Sequence, residues 1–301
     1  MEAELLKVEN LCHDFGPHRA VDHVSFSLKE GEIFGLVGES GSGKTTLGRC
    51  IMGLYRPTAG KITFRGHPLT GGAHKRSLAD RASGAASPIQ MIFQDPMASL
   101  DPRMTVGESV EEGLIIRGSR DRQENRRKVA QMLEMVGLQP DCAGRYPHEF
   151  SGGQRQRIGI ARAVIMEPKL LIADEAVSAL DVSVQAQVIN LLQDLRQQMG
   201  LSILFIAHDL AVVKYVCDRI AVMHLGKLVE LAPKQALFEN PLHPYTRSLL
   251  SASPVPDPRQ ERQRRRMDYE TPPPADRQLR QVAPDHWVLC SEEEFARIKK
   301  V

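Results

Sequence analysis

No run of the 301-residue sequence stays apolar for the roughly 18 residues that a membrane-spanning helix needs, so no segment is expected to cross a bilayer as a helix. The amino terminus, MEAELLKVEN, lacks the basic-then-apolar order of a secretory signal. Five cysteines (Cys12, Cys50, Cys142, Cys217, Cys290) include no C-x-x-C pair. That scatter excludes the usual zinc and disulfide frameworks and leaves reduced, structural thiols as the expectation. Neither sign of charge dominates: 39 lysines and arginines against 37 aspartates and glutamates leave a formal +2, too little to argue for nucleic acid as a partner. Heptad repeats are missing too, so no coiled coil is expected. What remains is 42% hydrophobic and 25% charged, the composition of a globular chain with one large α/β domain or two modest ones.

Leu5 to Val8 and Val24 to Leu28 read as short strands, the second alternating as VSFSL. Cys12 to Pro17 between them reads as a turn region. Its aromatic, Phe15, either stacks on a nucleotide base or closes a strand end within the core. Ile33 to Val37 is a continuous apolar strand of the kind buried in a parallel sheet. Directly after it stands Gly38-Glu39-Ser40-Gly41-Ser42-Gly43-Lys44-Thr45-Thr46, which fits G-x-x-x-x-G-K-[ST]. Its glycines let backbone N–H groups converge on phosphate oxygens, and the next helix aims its positive end at the same anion. Lys44 would neutralise the β- and γ-phosphates, and Thr45 would give an oxygen to Mg²⁺.

Lys61 to Phe64 reads as a strand, and 67–88 as an exposed connection with room for one short helix. Ile89 to Phe93 is again strand-like and delivers Gln94, whose amide suits a metal, a water or plain solvent. Val106 to Ile116 and Asn125 to Val136 carry apolar residues at helical spacing with no strand between them. That run suggests a helical subdomain inserted into an α/β core.

The stretch from Phe150 to Asp181 packs three devices together. Ser151-Gly152-Gly153-Gln154 is a capped helix start whose glycines permit close approach to an anion. Ile158, Ala161 and Ile165 mark the buried face of that helix, leaving Arg155, Arg157 and Arg162 to solvent or polar neighbours. Leu170 to Ala173 is a buried strand ending in Asp174 and Glu175, where parallel sheets bind ligands. A Mg²⁺-holding Asp beside a water-polarising Glu is what phosphoanhydride hydrolysis requires. Val182 to Met199 is an amphipathic helix stopped by Gly200. Ile203 to Ala207 is a further buried strand that places His208 at its end, suited to a γ-phosphate contact. A hairpin turns at Gly226-Lys227. From Ser253 the composition shifts to Pro, Arg and Asp, the signature of an extended linker, with Arg262 to Arg266 and Pro272 to Pro274 as its extremes.

Together these residues resemble the ATPase subunit of ABC transporters over Leu5 to Pro258. The closer resemblance is to the oligopeptide/dipeptide importer branch. It rests on Ile92-Phe93-Gln94-Asp95-Pro96, on Ser99 to Arg103, on Ser183 to Gln187, and on Pro241-Leu242-His243-Pro244-Tyr245-Thr246. The resemblance implies a P-loop NTPase (RecA-like) α/β core with an N-terminal antiparallel β subdomain and an inserted helical signature subdomain. The ATPase domain would span 1–252, with helices inserted at about 95–165, and 253–301 would be an extension.

The resemblance further implies ATP and Mg²⁺ as cofactors. ATP would lie on Gly38 to Thr46 and be closed over by Ser151 to Gln154 of a second ATPase subunit, identical or homologous. Glu175 would polarise the water, His208 would touch the γ-phosphate, and Thr45, Gln94 and Asp174 would serve the metal. Asp181 would line the subunit seam, and Phe15 falls where the adenine stacks. Two membrane permease subunits, sensed by Gln94 and the helices after it, and indirectly a solute-binding protein, complete the expected assembly at the cytoplasmic face of the cell membrane. Nickel chelates, glutathione or oligosaccharides are alternative cargoes in near relatives. A non-transport ABC ATPase and a nucleotide-binding regulator are the alternatives of other classes. Two departures stand out: Ala176 replaces the proline that usually follows the Glu, and the tail keeps only Cys290 of a cysteine-containing block, so a cluster there is not expected.

Overall fold

The computed structural model describes residues 3–69, 88–95, 99–252, 267–270 and 276–299. Most of the expected 67–88 connection, the arginine run and the proline triplet lie outside those residues. The chain divides into two compact units, one of Met1–Ile51, Tyr55–Thr70 and Phe205–Val301, the other of Met52–Leu54 and Gly71–Leu204.

In the first unit, β1 (Glu4–Phe15), β2 (His18–Lys29), β4 (Ala59–Phe64) and β5 (His67–Pro68) form an antiparallel sheet in the order β2-β1-β4-β5. This is the expected N-terminal β subdomain, but its first two strands are twelve residues each, and Cys12 to Phe15 belong to β1 rather than to a turn. The reason is visible in the pairing. Register shifts interrupt β1 between Val8 and Leu11 and again before His13, and Asn10 and His23 adopt positive φ of 47° and 50°. Such bulges break the two-residue alternation by which a long strand is recognised.

A second sheet of this unit runs β11 (Gln278–Ala283), β12 (His286–Cys290), β10 (Lys227–Pro233), β9 (Arg219–His224), β3 (Ile33–Val37) in spatial order. The β3/β9 pair is parallel, and β9/β10, β10/β12 and β11/β12 are antiparallel. Around it stand α1 (Lys44–Met52), α6 (Leu210–Val216), α7 (Lys234–Glu239) and α8 (Pro244–Ala252). The tail departs from the linker reading. Past the proline-rich stretch it folds into the β11/β12 hairpin and α9 (Glu292–Ile298), whose start is fixed by a reciprocal cap between Ser291 and Glu294.

The second unit pairs β6 (Ile89–Ile92) in parallel with β7 (Leu170–Asp174), every residue of β7 being buried. Its helices are α2 (Val106–Ile116), α3 (Arg122–Met135), α4 (Gly152–Val164) and α5 (Val182–Met199). Thr105 caps α2 and Asp121 caps α3, which therefore begins three residues before the apolar spacing shows it. Gly200 ends α5 in the left-handed conformation at φ 62°, as its position predicted. Strand β8 (Ser202–Ala207) is shared, Ser202 to Leu204 falling in this unit and Phe205 to Ala207 in the first.

Candidate active site

The first unit holds the phosphate loop. Strand β3 is buried throughout and delivers the chain to Gly38, whose φ is 153° and whose missing Cβ would lie 2.1 Å from the carbonyl oxygen of Met223. Gly43, at φ 100°, has the carbonyl oxygen of Ala20 at the same 2.1 Å. Only glycine fits either position, so the loop's path is fixed by its neighbours as well as by its sequence. Lys44 opens α1 and is buried. Its Nζ donates to the carbonyl oxygens of Gly38 and Glu39, both at 2.8 Å. The ammonium is thus held against the loop that it would serve. Ser42 is buried, Glu39, Ser40 and Gly41 are exposed, and Thr45 and Thr46 are half-buried in the first helical turn.

Phe15 ends β1 beside the turn and is 45% exposed, which rules out the core reading. It meets His13 and Tyr55 edge-on, with ring centroids 4.6 and 5.5 Å away. His208 is exposed one residue past β8, and Asp209 next to it caps α6 by accepting from the Ala211 N–H at 2.8 Å.

The second unit holds the carboxylates. Asp174 is buried at the end of β7, and Glu175 follows with φ 47°, a left-handed conformation unusual for a side-chain-bearing residue. Two bonds stabilise that turn: the N–H and the hydroxyl of Ser178 both donate to the Glu175 carbonyl, at 3.1 and 2.9 Å. Ala176, which stands where the proline was expected, is buried within the turn that these bonds close. Gln94, two residues beyond β6, donates from Nε2 to Oε2 of Glu175 at 2.9 Å. Its amide oxygen is the atom that remains for a metal or a water.

Ser151 and Gln154 form a reciprocal cap, with Ser151 N–H on Gln154 Oε1 at 2.9 Å and Gln154 N–H on Ser151 Oγ at 3.3 Å. The ordinary-cap reading of the motif therefore holds. That cap is compatible with an anion-facing role, since the first N–H groups of any helix lack partners within it. Gly153 has a packing reason that the sequence did not reveal: a Cβ there would lie 2.3 Å from Cγ1 of Val184. Asp181 caps α5, accepting from the Val184 N–H at 3.0 Å and the Ser183 hydroxyl at 2.7 Å. The Val184 N–H first, and then Ser183, hold its carboxyl below the usual range.

A family model described as "ABC transporter" matches residues 21–178, and one described as "Oligopeptide/dipeptide transporter, C-terminal region" matches residues 229–278. The oligopeptide transport ATP-binding protein OppF of Bacillus subtilis is 51% identical over 98% of this chain and 99% of its own. The chain belongs to the ABC transporter family. Another member, the dipeptide transport ATP-binding protein DppF of Lactococcus lactis subsp. cremoris, is 47% identical over 99% of this chain and 97% of its own. Among solved ABC transporter structures, cbiO1 from Clostridium perfringens, part of the complex cbiONQ, superposes with a TM-score of 0.69 at 28% identity. It covers 79% of this chain and 92% of its own. An ATP-binding cassette in a dimeric post-hydrolysis state bound to ADP and Pi gives 0.66 at 28% identity, over 76% of this chain and 99% of that one. The fold is the P-loop ATPase fold of the ABC transporter family.

Of the ABC transporter residues expected from the sequence, the structure pairs Gln94 with Glu175. It also joins Asp181 to Val184, the residue on which Gly153 packs. The phosphate loop, Phe15 and His208 fall in the first unit; Gln94, Ser151 to Gln154, Asp174, Glu175 and Asp181 fall in the second. Sequence reasoning missed Ser178, which shapes the backbone of Glu175, and Tyr245, whose hydroxyl accepts the N–H of Glu39 at 3.2 Å. The signal for Tyr245 was its place in the Pro241–Thr246 motif, which the resemblance used without assigning it work.

Proposed function

We propose that the chain is the ATP-hydrolysing subunit of an importer for oligopeptides or dipeptides, acting on the cytoplasmic side of a membrane with permease subunits. The observation that carries the ATPase reading is the phosphate loop, whose two obligatory glycines and buried Lys44 are built to receive an anion. Peptide as cargo is supported by similarity to OppF and DppF along nearly the whole chain and by the match at 229–278.

In this reading Gly38 to Thr46 wrap the phosphates, Phe15 stacks on the base, Glu175 polarises water, and His208 touches the γ-phosphate. Ser151 to Gln154 and Asp181 serve the nucleotide of a second ATPase subunit. Mg²⁺ fits the donor set: the Thr45 hydroxyl, the Asp174 carboxylate and the Gln94 amide oxygen are hard oxygen ligands. When bound, it would neutralise charge on the transferred phosphoryl group.

Permease docking is supported by a groove of about 330 Å³ in the second unit, lined by Phe93, Ile116, Gln156 and Met166 among others. Phe93 and Ile116 are exposed, and the buried Nε2 of Gln156 has no hydrogen-bond partner among the described residues. An incoming permease helix with an apolar face would cover the two exposed side chains. Phe93, which lines the groove, precedes Gln94, so a docked helix would touch the chain next to the partner of Glu175.

The test is ATPase activity of the purified chain across protein concentrations, then in vesicles with its permease subunits and a peptide-loaded binding protein. Specific activity should rise with concentration and again with peptide. Strong activity at sub-micromolar protein, independent of concentration, would remove the two-subunit site. Stimulation by every cargo class except peptides would remove the peptide assignment.

A further inference from the structure

One peptide unit of the phosphate loop is gripped from both sides. Its N–H is that of Glu39 and donates to Oη of Tyr245 at 3.2 Å. Its C=O is that of Gly38 and accepts Lys44 Nζ at 2.8 Å. A peptide unit is planar, so whatever fixes the N–H also fixes the direction of the carbonyl and hence the seat of the ammonium. Rotation at Gly38 is restrained already, because Met223 and Ser42 crowd its α-carbon.

Tyr245 is itself rigidly placed. It is 2% exposed, and its ring lies 4.0 Å from that of His224 and 5.4 Å from that of Tyr269. Its own N–H donates to Nδ1 of His243 at 3.1 Å. The segment before it is anchored on Glu230, a fully buried carboxylate that accepts from the N–H groups of Leu242 at 2.9 Å and His243 at 3.0 Å. His286 of β12 completes that site, with Nε2 at 2.8 Å from the same carboxylate. Chemically different contacts thus lead without a gap from the C-terminal hairpin to the lysine of the phosphate loop.

We propose that Tyr245 is a positioning residue for ATP binding: its hydroxyl holds the Gly38–Glu39 peptide and thereby Lys44, and the Pro241–Thr246 segment with the C-terminal hairpin braces it. The inference rests on the reading of Gly38 to Thr46 as the nucleotide site and adds a part that the motif does not contain. Burial raises the Tyr245 phenol to about 12, so the hydroxyl keeps its proton at neutral pH and accepts through a lone pair. One hydrogen bond to a backbone N–H corresponds to about a three- to tenfold change in affinity.

The test uses the full chain and Tyr245→Phe, which removes only the hydroxyl and keeps the ring against His224. Binding of a fluorescent ADP analogue with Mg²⁺, KM and kcat for ATP, and the melting temperature without nucleotide are compared with the parent. The dissociation constant and KM should rise about three- to tenfold while kcat stays within about twofold. The nucleotide-free melting temperature should fall by no more than the few degrees that one hydrogen bond is worth, about 2–4 °C. Unchanged affinity and KM overturn the proposal. Weaker binding accompanied by a clearly lowered nucleotide-free melting temperature also overturns it, since the role is then only structural. If the parent chain itself binds no nucleotide, the phosphate-loop reading falls and the proposal with it. If the parent binds and the variant binds equally, only the bracing role falls.

Discussion

Gln94 donates from its side-chain amide to the carboxylate of Glu175 at 2.9 Å, while the backbone of Glu175 sits at φ 47°. The residue proposed to polarise water is therefore set by two independent devices. Ser178 fixes its main chain and Gln94 fixes its side chain. Glu175→Gln keeps an acceptor for Gln94 but removes the basic oxygen. Turnover should fall by about 10²–10⁴-fold, with ATP binding unchanged. Single-turnover hydrolysis at the parent rate would sink the assignment.

Gly153→Ala places a methyl group 2.3 Å from Cγ1 of Val184, a short β-branched side chain with little freedom to move. The expected cost is about 1–3 kcal/mol of stability. Adding Val184→Ala should recover part of it, and denaturant melts of the two single variants and the double variant measure that coupling. Strict additivity would show that the glycine is needed for something other than this contact.

Ala176 occupies the second position of the turn closed by the Ser178 N–H on the Glu175 carbonyl, a position at which proline is favoured. Ala176→Pro should therefore stabilise the chain by about 0.4–1 kcal/mol by restricting its unfolded state. Steady-state ATPase should be unchanged. A drop in turnover would mean that the left-handed backbone of Glu175 is disturbed by its new neighbour.

His243 carries the clearest pH dependence. Burial lowers its pKa from 6.5 to about 4; Arg277 and His224 add to that, while Glu230 and Glu294 oppose it. Between those values the unfolded chain binds a proton that the folded chain does not, so stability falls as pH drops from about 6.5 towards 4. The loss is on the order of 3 kcal/mol. His243→Asn keeps an acceptor for the Tyr245 N–H and should flatten the slope of melting temperature against pH in that window. An unchanged slope would assign the titration elsewhere.

The parts legible in the sequence were those in which one local rule decides the outcome. Gly38 to Lys44 announce their loop because few other sequences can trace it, and β3, β7 and β8 announce themselves because both faces are buried. Contacts between distant segments were hidden. The positive φ at Asn10 and His23 made two long strands look like two short ones with a turn between. In the tail, β11 exposes or half-exposes each of its residues, so QLRQVA carried no core signal beside a proline-rich run. Nothing local marks Val184 as the partner of Gly153, or Tyr245 as the partner of Glu39, since the first pair meets by packing and the second by a hydrogen bond between segments far apart in the chain.

All five cysteines are buried thiols. The folded protein therefore offers a maleimide or a spin-label reagent no thiol at its surface. A single cysteine introduced at an exposed site such as Ile116 would be the one reactive group on the native chain, with no need to delete the other five. Distances between labelled partners could then be followed through ATP binding and release. The same thiols, counted as they become reactive, would report how far the fold opens.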